Sequence, residues 1–419
     1  MKSSPASVIL VPLLTSLAPA GPPPFQVQHP VGRAARAVAV GDFTGDRVPD
    51  IAAACSDPSD PHVALLVGTG EGRFAAPYAA IRWGEPFDIA AGDLDGDGRA
   101  DLAVTSGRAS FSPTSAPKAV RIFFGDPKGE FSRSTDPIDL PGSGDPGSAP
   151  SDPMVLSADA TGDGRPEAIV AALRWQHPTA ILTLIGGGSR ALTGKASEIP
   201  DRGNLYAIAC GDLNEDGRTD LVLARSGMGK GILQIALGNG DGTFAEGPEL
   251  IAPGGNAPPE GMAAADLDAD GHLDIVCSLY GSRRLAIHYG KGKGRFETPA
   301  LLESPGFPRW LGVGDYDGDR ELDLYACSIG VTPNAGSLYA GLGGRAYALP
   351  GHYALDFEIL DGASADVNGD GIEDLATVSA NDRVTAACPT ASPASGTRAA
   401  KSTPELSWSP TRTRTAATT

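Results

Sequence analysis

A chain of 419 residues with 55 glycines, 36 prolines and a regular alternation of short apolar runs is rich in turns, and that regularity argues against disorder. Its formal net charge of −18 makes nucleic acid or an anionic membrane surface an unsuitable partner. The five cysteines (Cys55, Cys210, Cys277, Cys327, Cys388) are odd in number with no CxxC pair, so they read as small buried hydrophobes rather than a disulfide framework, with Cys388 apart in a different kind of sequence.

Residues 1–20 open with Lys2, continue through an apolar run from Val8 to Leu14 and end in Ala18-Pro19-Ala20, the shape of a secretory signal peptide. The run is too short for a comfortable membrane span, and nothing later approaches one. The expectation is an exported mature chain: secreted, periplasmic or at the cell surface.

At Asp42 begins a nine-residue acidic loop that returns at Asp93, Asp159, Asp212, Asp266, Asp315 and Asp366, at spacings of 49 to 66 residues. Positions 1, 3, 5 and 9 are Asp42, Thr44, Asp46, Asp50; Asp93, Asp95, Asp97, Asp101; Asp159, Thr161, Asp163, Glu167; and Asp212, Asn214, Asp216, Asp220 in the first four copies. The last three read Asp266, Asp268, Asp270, Asp274; Asp315, Asp317, Asp319, Asp323; and Asp366, Asn368, Asp370, Asp374. Hard oxygen donors in this spacing, without His or Cys, point to calcium, up to seven ions, with the position 7 carbonyl as a further ligand. An EF-hand is excluded, because position 12 is Ala53, Val104, Val170, Leu223, Cys277, Ala326 and Thr377 rather than Glu, and strand-like runs flank each loop.

The sites are unequal. Asp93 and Asp266 start loops with four acids and a glycine at position 6 and should bind best, whereas Thr44 and Thr161 are poorer ligands, and the Asp42 loop, with Arg47 also at position 6, ranks weakest. Arg47 and Arg320 occupy the glycine position of their loops, where a positive φ is uncommon for a residue with a side chain. Positions 1, 3, 5 and 9 of these loops hold 24 of the 51 acidic residues, and seven divalent ions would bring −18 to −4 and link metal to stability.

Five of the seven loops are followed by two apolar strands and then a glycine turn ending in an aromatic: Val67 to Phe74, Leu237 to Phe244 and Tyr289 to Phe296, with looser versions at Phe124 to Phe131 and Ala340 to Tyr347, whereas the third is followed by Ile185-Gly186-Gly187-Gly188-Ser189 with no aromatic after it. These are read as hairpin turns, since a phosphate-cradling loop needs a helix directly after its glycines.

The alternation of DxDxDGxxD loops with GxGxGxF turns resembles the FG-GAP or VCBS repeat family, which also builds the head of integrin α-subunits, over roughly residues 25 to 385. The resemblance implies an all-β, seven-bladed β-propeller with calcium between strands 1 and 2 of each blade. It also implies a non-catalytic module, of the adhesion type, that binds proteins or glycans. The domain reading is thus a signal peptide (1–20), a propeller (21–385) and a disordered Ser/Thr/Pro/Arg-rich tail (386–419). Phe25 lies 17 residues before Asp42, as a turn aromatic should, so the strand after it is expected to complete the last blade and close the ring. Two Pro/Ser/Gly-rich stretches, 107–118 and 139–153, read as surface insertions. The loop-to-aromatic spacing of 32 residues predicts an aromatic near position 398, yet Arg398 stands there; such a change in mid-blade is what a shifted reading frame would leave, and resequencing tests it.

In an up-and-down blade the acidic loops and glycine turns share one face. On the opposite face the sequence places Arg82, Trp83, Trp175, His177, Tyr206, Tyr280, Arg283, Arg309 and Trp310, residue types that stack on sugars or anchor a partner protein. Packing of the tryptophans between blades is the plainer alternative. No catalytic motif occurs among the six histidines or the glycine runs. A monomeric binding module is therefore the expectation, and the alternative is a calcium-dependent, lyase-like enzyme on an acidic polysaccharide.

Overall fold

The computed structural model describes residues 25–107, 118–141, 153–172, 178–186, 192–200, 203–227, 230–253, 259–331, 334–355, 357–388 and 413–414. Seven antiparallel sheets stand in a ring, and the first strand of each packs on the first strand of the next. Blade 1 comprises Ala35–Gly41, Asp50–Cys55, His62–Leu66 and Tyr78–Ile81. Blades 2 to 6 begin with Pro86–Gly92, Met154–Ala158, Asn204–Gly211, Pro259–Ala265 and Phe307–Gly314. Blade 7 supplies Ile359–Ala365, Asp374–Ser379 and Arg383–Cys388, and its fourth strand is Phe25–Pro30 from the other end of the chain. Val27 stands opposite Ala386 in that antiparallel pair, which closes the ring as the position of Phe25 predicts. The fold is an all-β, seven-bladed propeller; its one described helical turn is Tyr280–Ser282.

Second strands are buried along nearly their whole length, and mostly apolar after the opening acid, because each blade is sandwiched between two others. Ile51, Ala53 and Cys55 enter the layer between blades 7 and 1, while Ala52 and Ala54 enter the layer between blades 1 and 2. Period-two alternation thus serves two cores instead of one core and solvent. Outer strands such as Ala300–Glu303 are largely exposed.

The turn aromatics act as wedges. Phe74, Phe131, Phe244, Phe296 and Tyr347 pack into the layer between their own blade and the preceding one. Gly68 pairs with Phe74, Gly238 with Phe244, Gly290 with Phe296 and Gly341 with Tyr347, so these glycine runs are hairpin turns.

Cys55, Cys210, Cys277 and Cys327 are free, and burial pushes the thiols of Cys55, Cys210 and Cys277 up to about 12. No described helix is long and apolar enough to cross a membrane. The leader-like residues 1–20 and most of both insertions lie outside the described residues. In the tail, the last strand runs on to Cys388, past the expected boundary at 385, and Thr413–Arg414 pairs with Asp361 and Gly362; the rest lies outside the described residues.

Candidate functional site

Every acidic loop joins strands 1 and 2 of its blade, and its backbone is organised by its own carboxylates. At position 1, Asp42 Oδ1 accepts from the amides of Gly45 and Asp46 and Oδ2 accepts from Arg47, a pattern repeated by Asp93, Asp159, Asp315 and Asp366. This tight winding requires positive φ at position 6. Gly98 and Gly271 adopt 85° and 89°, and Arg47 and Arg320 are held at 69° and 74° despite their side chains.

The position 9 carboxylates are the most enclosed groups of the site. Asp50, Asp101, Asp220, Asp274, Asp323 and Asp374 are 0% exposed and Glu167 is 1% exposed. One oxygen of each accepts from the position 2 amide, as Leu94 N to Asp101 at 2.9 Å and Tyr316 N to Asp323 at 2.8 Å. In five blades the other oxygen accepts from the first glycine of the turn: Gly68, Gly125, Gly238, Gly290 and Gly341, at 2.7 to 2.9 Å. Position 9 therefore ties the acidic loop to the glycine turn and puts both on one face. The glycine itself is obligatory, because a Cβ on Gly68 would lie 2.2 Å from the Pro49 carbonyl oxygen and one on Gly238 2.1 Å from that of Thr219. Burial pushes Asp50, Asp220 and Asp274 up to about 6, and Asp101, Glu167 and Asp323 up to about 7.

Four loops gather carboxylate oxygens from three residues within 4.8 Å of one another: Asp93, Asp95, Asp101; Asp159, Asp163, Glu167; Asp266, Asp268, Asp274; and Asp315, Asp317, Asp323. The other three carry Thr44, Asn214 and Asn368 at position 3. The donors are all oxygen, a set suited to a hard divalent cation.

Sequence reasoning missed three features of this face. Position 2 is a buried apolar pin in every loop, from Phe43 at 0% to Leu94, Leu213 and Leu267 at 4% exposure, and its signal is the apolar residue after each first aspartate. Neighbouring loops are also chained: Ala100 N donates to Asp42 O at 2.9 Å, Glu373 N to Asp315 O at 3.1 Å, and His272 contacts Glu215 of the preceding loop. Finally, Arg345 from the turn of blade 6 reaches Asp268 of blade 5 at 2.6 Å and Glu297 at 2.9 Å, lying over the Tyr289 ring. No spacing rule announces such a contact between blades.

The opposite face is spread out. Arg82 is exposed and pairs with Asp60, while half-buried Trp83 stands 6.0 Å from both the Phe123 ring and the Arg121 guanidinium. The Tyr206 hydroxyl accepts from Ser226 at 3.3 Å. Tyr280 and Arg283 come together around Phe307, at 5.2 and 4.4 Å from its ring, a residue the sequence did not single out. Trp175 and His177 lie outside the described residues. Trp310 is not on the surface: it is 1% exposed, packed between blades 6 and 7 against the backbone of Gly312 and Gly362. Arg309 is likewise withdrawn, at 9% exposure, where it donates to Glu260 at 2.9 Å and pairs with Glu358, linking blades 5, 6 and 7. Its two acidic partners explain how a guanidinium is tolerated there.

A family model described as FG-GAP-like repeat matches residues 42–104, 212–277 and 266–326. Cartilage acidic protein 1 of Xenopus tropicalis is 27% identical over 342 residues, covering 74% of this chain; the chain spans about half, 51%, of that relative's length. Among solved structures, BBS1N in complex with ARL6DN superimposes with a TM-score of 0.56 at 15% identity, covering 87% of this chain and 96% of that one. The BP39L lectin from Burkholderia pseudomallei gives 0.55 at 13% identity (85% and 98% covered). A lectin from Agrocybe aegerita, solved for its recognition of non-reducing terminal N-acetylglucosamine, gives 0.52 at 18% identity (80% and 81% covered). These likenesses concern the fold. Three segments of the chain match the FG-GAP-like repeat, and the described strands build a seven-bladed β-propeller.

Proposed function

We propose that this protein is an exported, calcium-stabilised propeller that acts as a non-catalytic binding module for a protein or a glycan, with its ligand on the face opposite the acidic loops. The observation that carries the calcium half is the buried carboxylate at position 9 of each loop, beside further acids at positions 1 and 5 and, in three loops, at position 3. Burying ionised carboxylates among like charges is costly unless a cation offsets them. Asp93, Asp95, Asp97 and Asp101, with the Arg99 carbonyl, would hold one such ion, and the corresponding residues would do so in the other loops. The ion supplies charge neutralisation and a fixed loop geometry.

The binding half is supported by the exposed arginines Arg82 and Arg283, the latter beside the half-buried rings of Tyr280 and Phe307. It is also in keeping with a similar fold in two lectins and in BBS1N, crystallised in complex with ARL6DN. Export is supported by the leader-like residues 1–20 and by similarity to a protein named for cartilage. The test is to screen the protein in millimolar calcium against arrays of glycans and extracellular proteins, then against acidic polysaccharides with detection of cleavage. Saturable binding that weakens at least tenfold on the double change Tyr280→Ala, Arg283→Ala is expected. Polysaccharide cleavage, or binding to neither class, would overturn the reading.

A further inference from the structure

The described glycine turns of blades 2, 4, 5 and 6 dock on the acidic loop of the blade before them, and the fifth residue of the turn, counted from its first glycine, makes the contact. Gly242 N donates to Ala160 O at 3.2 Å and Gly294 N to Leu213 O at 3.0 Å, in each case the position 2 carbonyl of the preceding loop. A Cβ on Gly129 would stand 3.6 Å from the Thr44 side chain, and one on Gly294 3.6 Å from that of Asn214, both at position 3. In blade 6 the fifth residue is Arg345, and it too meets position 3 of the preceding loop: its Nε donates to Asp268 Oδ2 at 2.6 Å.

The contact, once seen, sorts the repeats by charge. Where position 3 is neutral, the fifth turn residue of the next blade is glycine: Thr44 goes with Gly129, Thr161 with Gly242 and Asn214 with Gly294. Across the ring closure, Asn368 goes with Gly72. Where position 3 is Asp268, the turn residue is Arg345. Asp95 follows the same pattern in sequence, since Arg190 holds the fifth place of the blade 3 turn, outside the described residues.

Arg345 is anchored on several sides. Besides Asp268, its Nη1 donates to Glu297 at 2.9 Å, its guanidinium lies 4.3 Å over the Tyr289 ring, and Asp270 stands 3.9 Å away. It is not needed to aim Asp268. Oδ1 of that residue accepts from Asp270 N at 3.2 Å, and Asp317 keeps the same bond to Asp319 N at 3.1 Å with no ion pair among the described residues. What Arg345 adds is therefore a fixed positive charge beside a candidate ligand of the cation.

We infer that Arg345 is a built-in counter-cation that lowers the calcium affinity of the blade 5 loop and stabilises that loop without the ion. Ligand charge count tunes the affinity of such oxygen sites, and a guanidinium bonded to Asp268 offsets one of the four charges at Asp266, Asp268, Asp270 and Asp274. The arginine side chain is 42% exposed, so solvent screens it and the effect is several-fold rather than many decades. The Asp266 loop, which its four acids and glycine rank with the best, is thereby brought down from that rank. The inference rests on the calcium reading above and names how one of its sites is tuned.

The experiment is a calcium titration of the full, metal-stripped chain followed by amide NMR, with Gly271 reporting the blade 5 loop and Gly371 the blade 7 loop, alongside thermal unfolding in EGTA and in millimolar calcium. Arg345→Gln keeps a long hydrogen-bonding side chain without the charge. The calcium midpoint at Gly271 should fall at least about threefold while that at Gly371 stays within about twofold. By linkage, the melting temperature should drop more in EGTA than in calcium. Arg345→Lys, which keeps the charge, should stay within about twofold of the parent protein at Gly271. An unchanged or higher midpoint at Gly271 in folded Arg345→Gln, or equal tightening in Arg345→Lys, overturns the inference and leaves the calcium reading standing. No calcium response at either glycine in the parent protein and in Arg345→Gln overturns both.

Discussion

At the scale of single residues, the acidic loops show how far a repeated motif constrains conformation. Arg320 sits at φ 74° because the position 1 aspartate needs an amide there, and Arg320 N donates to Asp315 Oδ2 at 2.8 Å. Holding a residue with a Cβ in that region costs about 1–2 kcal/mol. Arg320→Gly relieves the strain but loosens the unfolded chain; a net gain of about 0.5–1 kcal/mol is expected in calcium, read from urea unfolding. The buried carboxylates give a pH dependence of definite sign. Without cation, Asp101 and Asp323 are pushed up to about 7, so between the ordinary carboxylate value and about 7 the folded chain holds more protons than the unfolded one. Metal-free stability therefore falls as pH rises through that window. A cation that displaces those protons should raise the melting temperature more at pH 7.5 than at pH 5, by calorimetry at both. The arginines at positive φ and the gathering of acidic side chains in each loop are legible in the sequence from the motif alone. The burial of Trp310 and Arg309 is not, because a solvent-facing pair and a pair turned between blades read identically along one strand.

At the scale of the element, the unit is not the loop or the turn but the two locked together through position 9. Gly238 N donates to Asp220 at 2.8 Å, and the Thr219 carbonyl oxygen lies where a Cβ would go. Gly238→Ala should accordingly cost about 2–3 kcal/mol by forced displacement of backbone and should weaken cation binding in blade 4; urea unfolding with and without calcium measures both. This coupling explains why the acidic pattern and the glycine pattern recur together. Both halves are visible in the sequence, and so is the hairpin nature of the turn, since no helix follows the glycines. Their shared hydrogen bonds are not, because they join residues 16 to 24 positions apart.

At the scale of the molecule, seven repeats make a closed ring, and the closure joins the two ends of the propeller. The spacing from Phe25 to Asp42 discloses that closure before any coordinates, because a repeat leaves its period even where a blade is split. Contacts between blades, such as Arg345 on Asp268 and the Arg309 bridge from Glu260 to Glu358, leave no periodic trace and emerge only from the three-dimensional arrangement. Because the loops are chained from blade to blade, cation sites at the rim should report on the whole ring rather than on single blades. The most direct test is thermal unfolding of the protein in excess EGTA and again in millimolar calcium at pH 7.5. A single cooperative transition shifted upward by at least about 10 °C in calcium is the predicted result, several sites being linked to one folding event. Coincident transitions in the two buffers would mean that the seven acidic loops are turns without a metal role, and the calcium account would be contradicted.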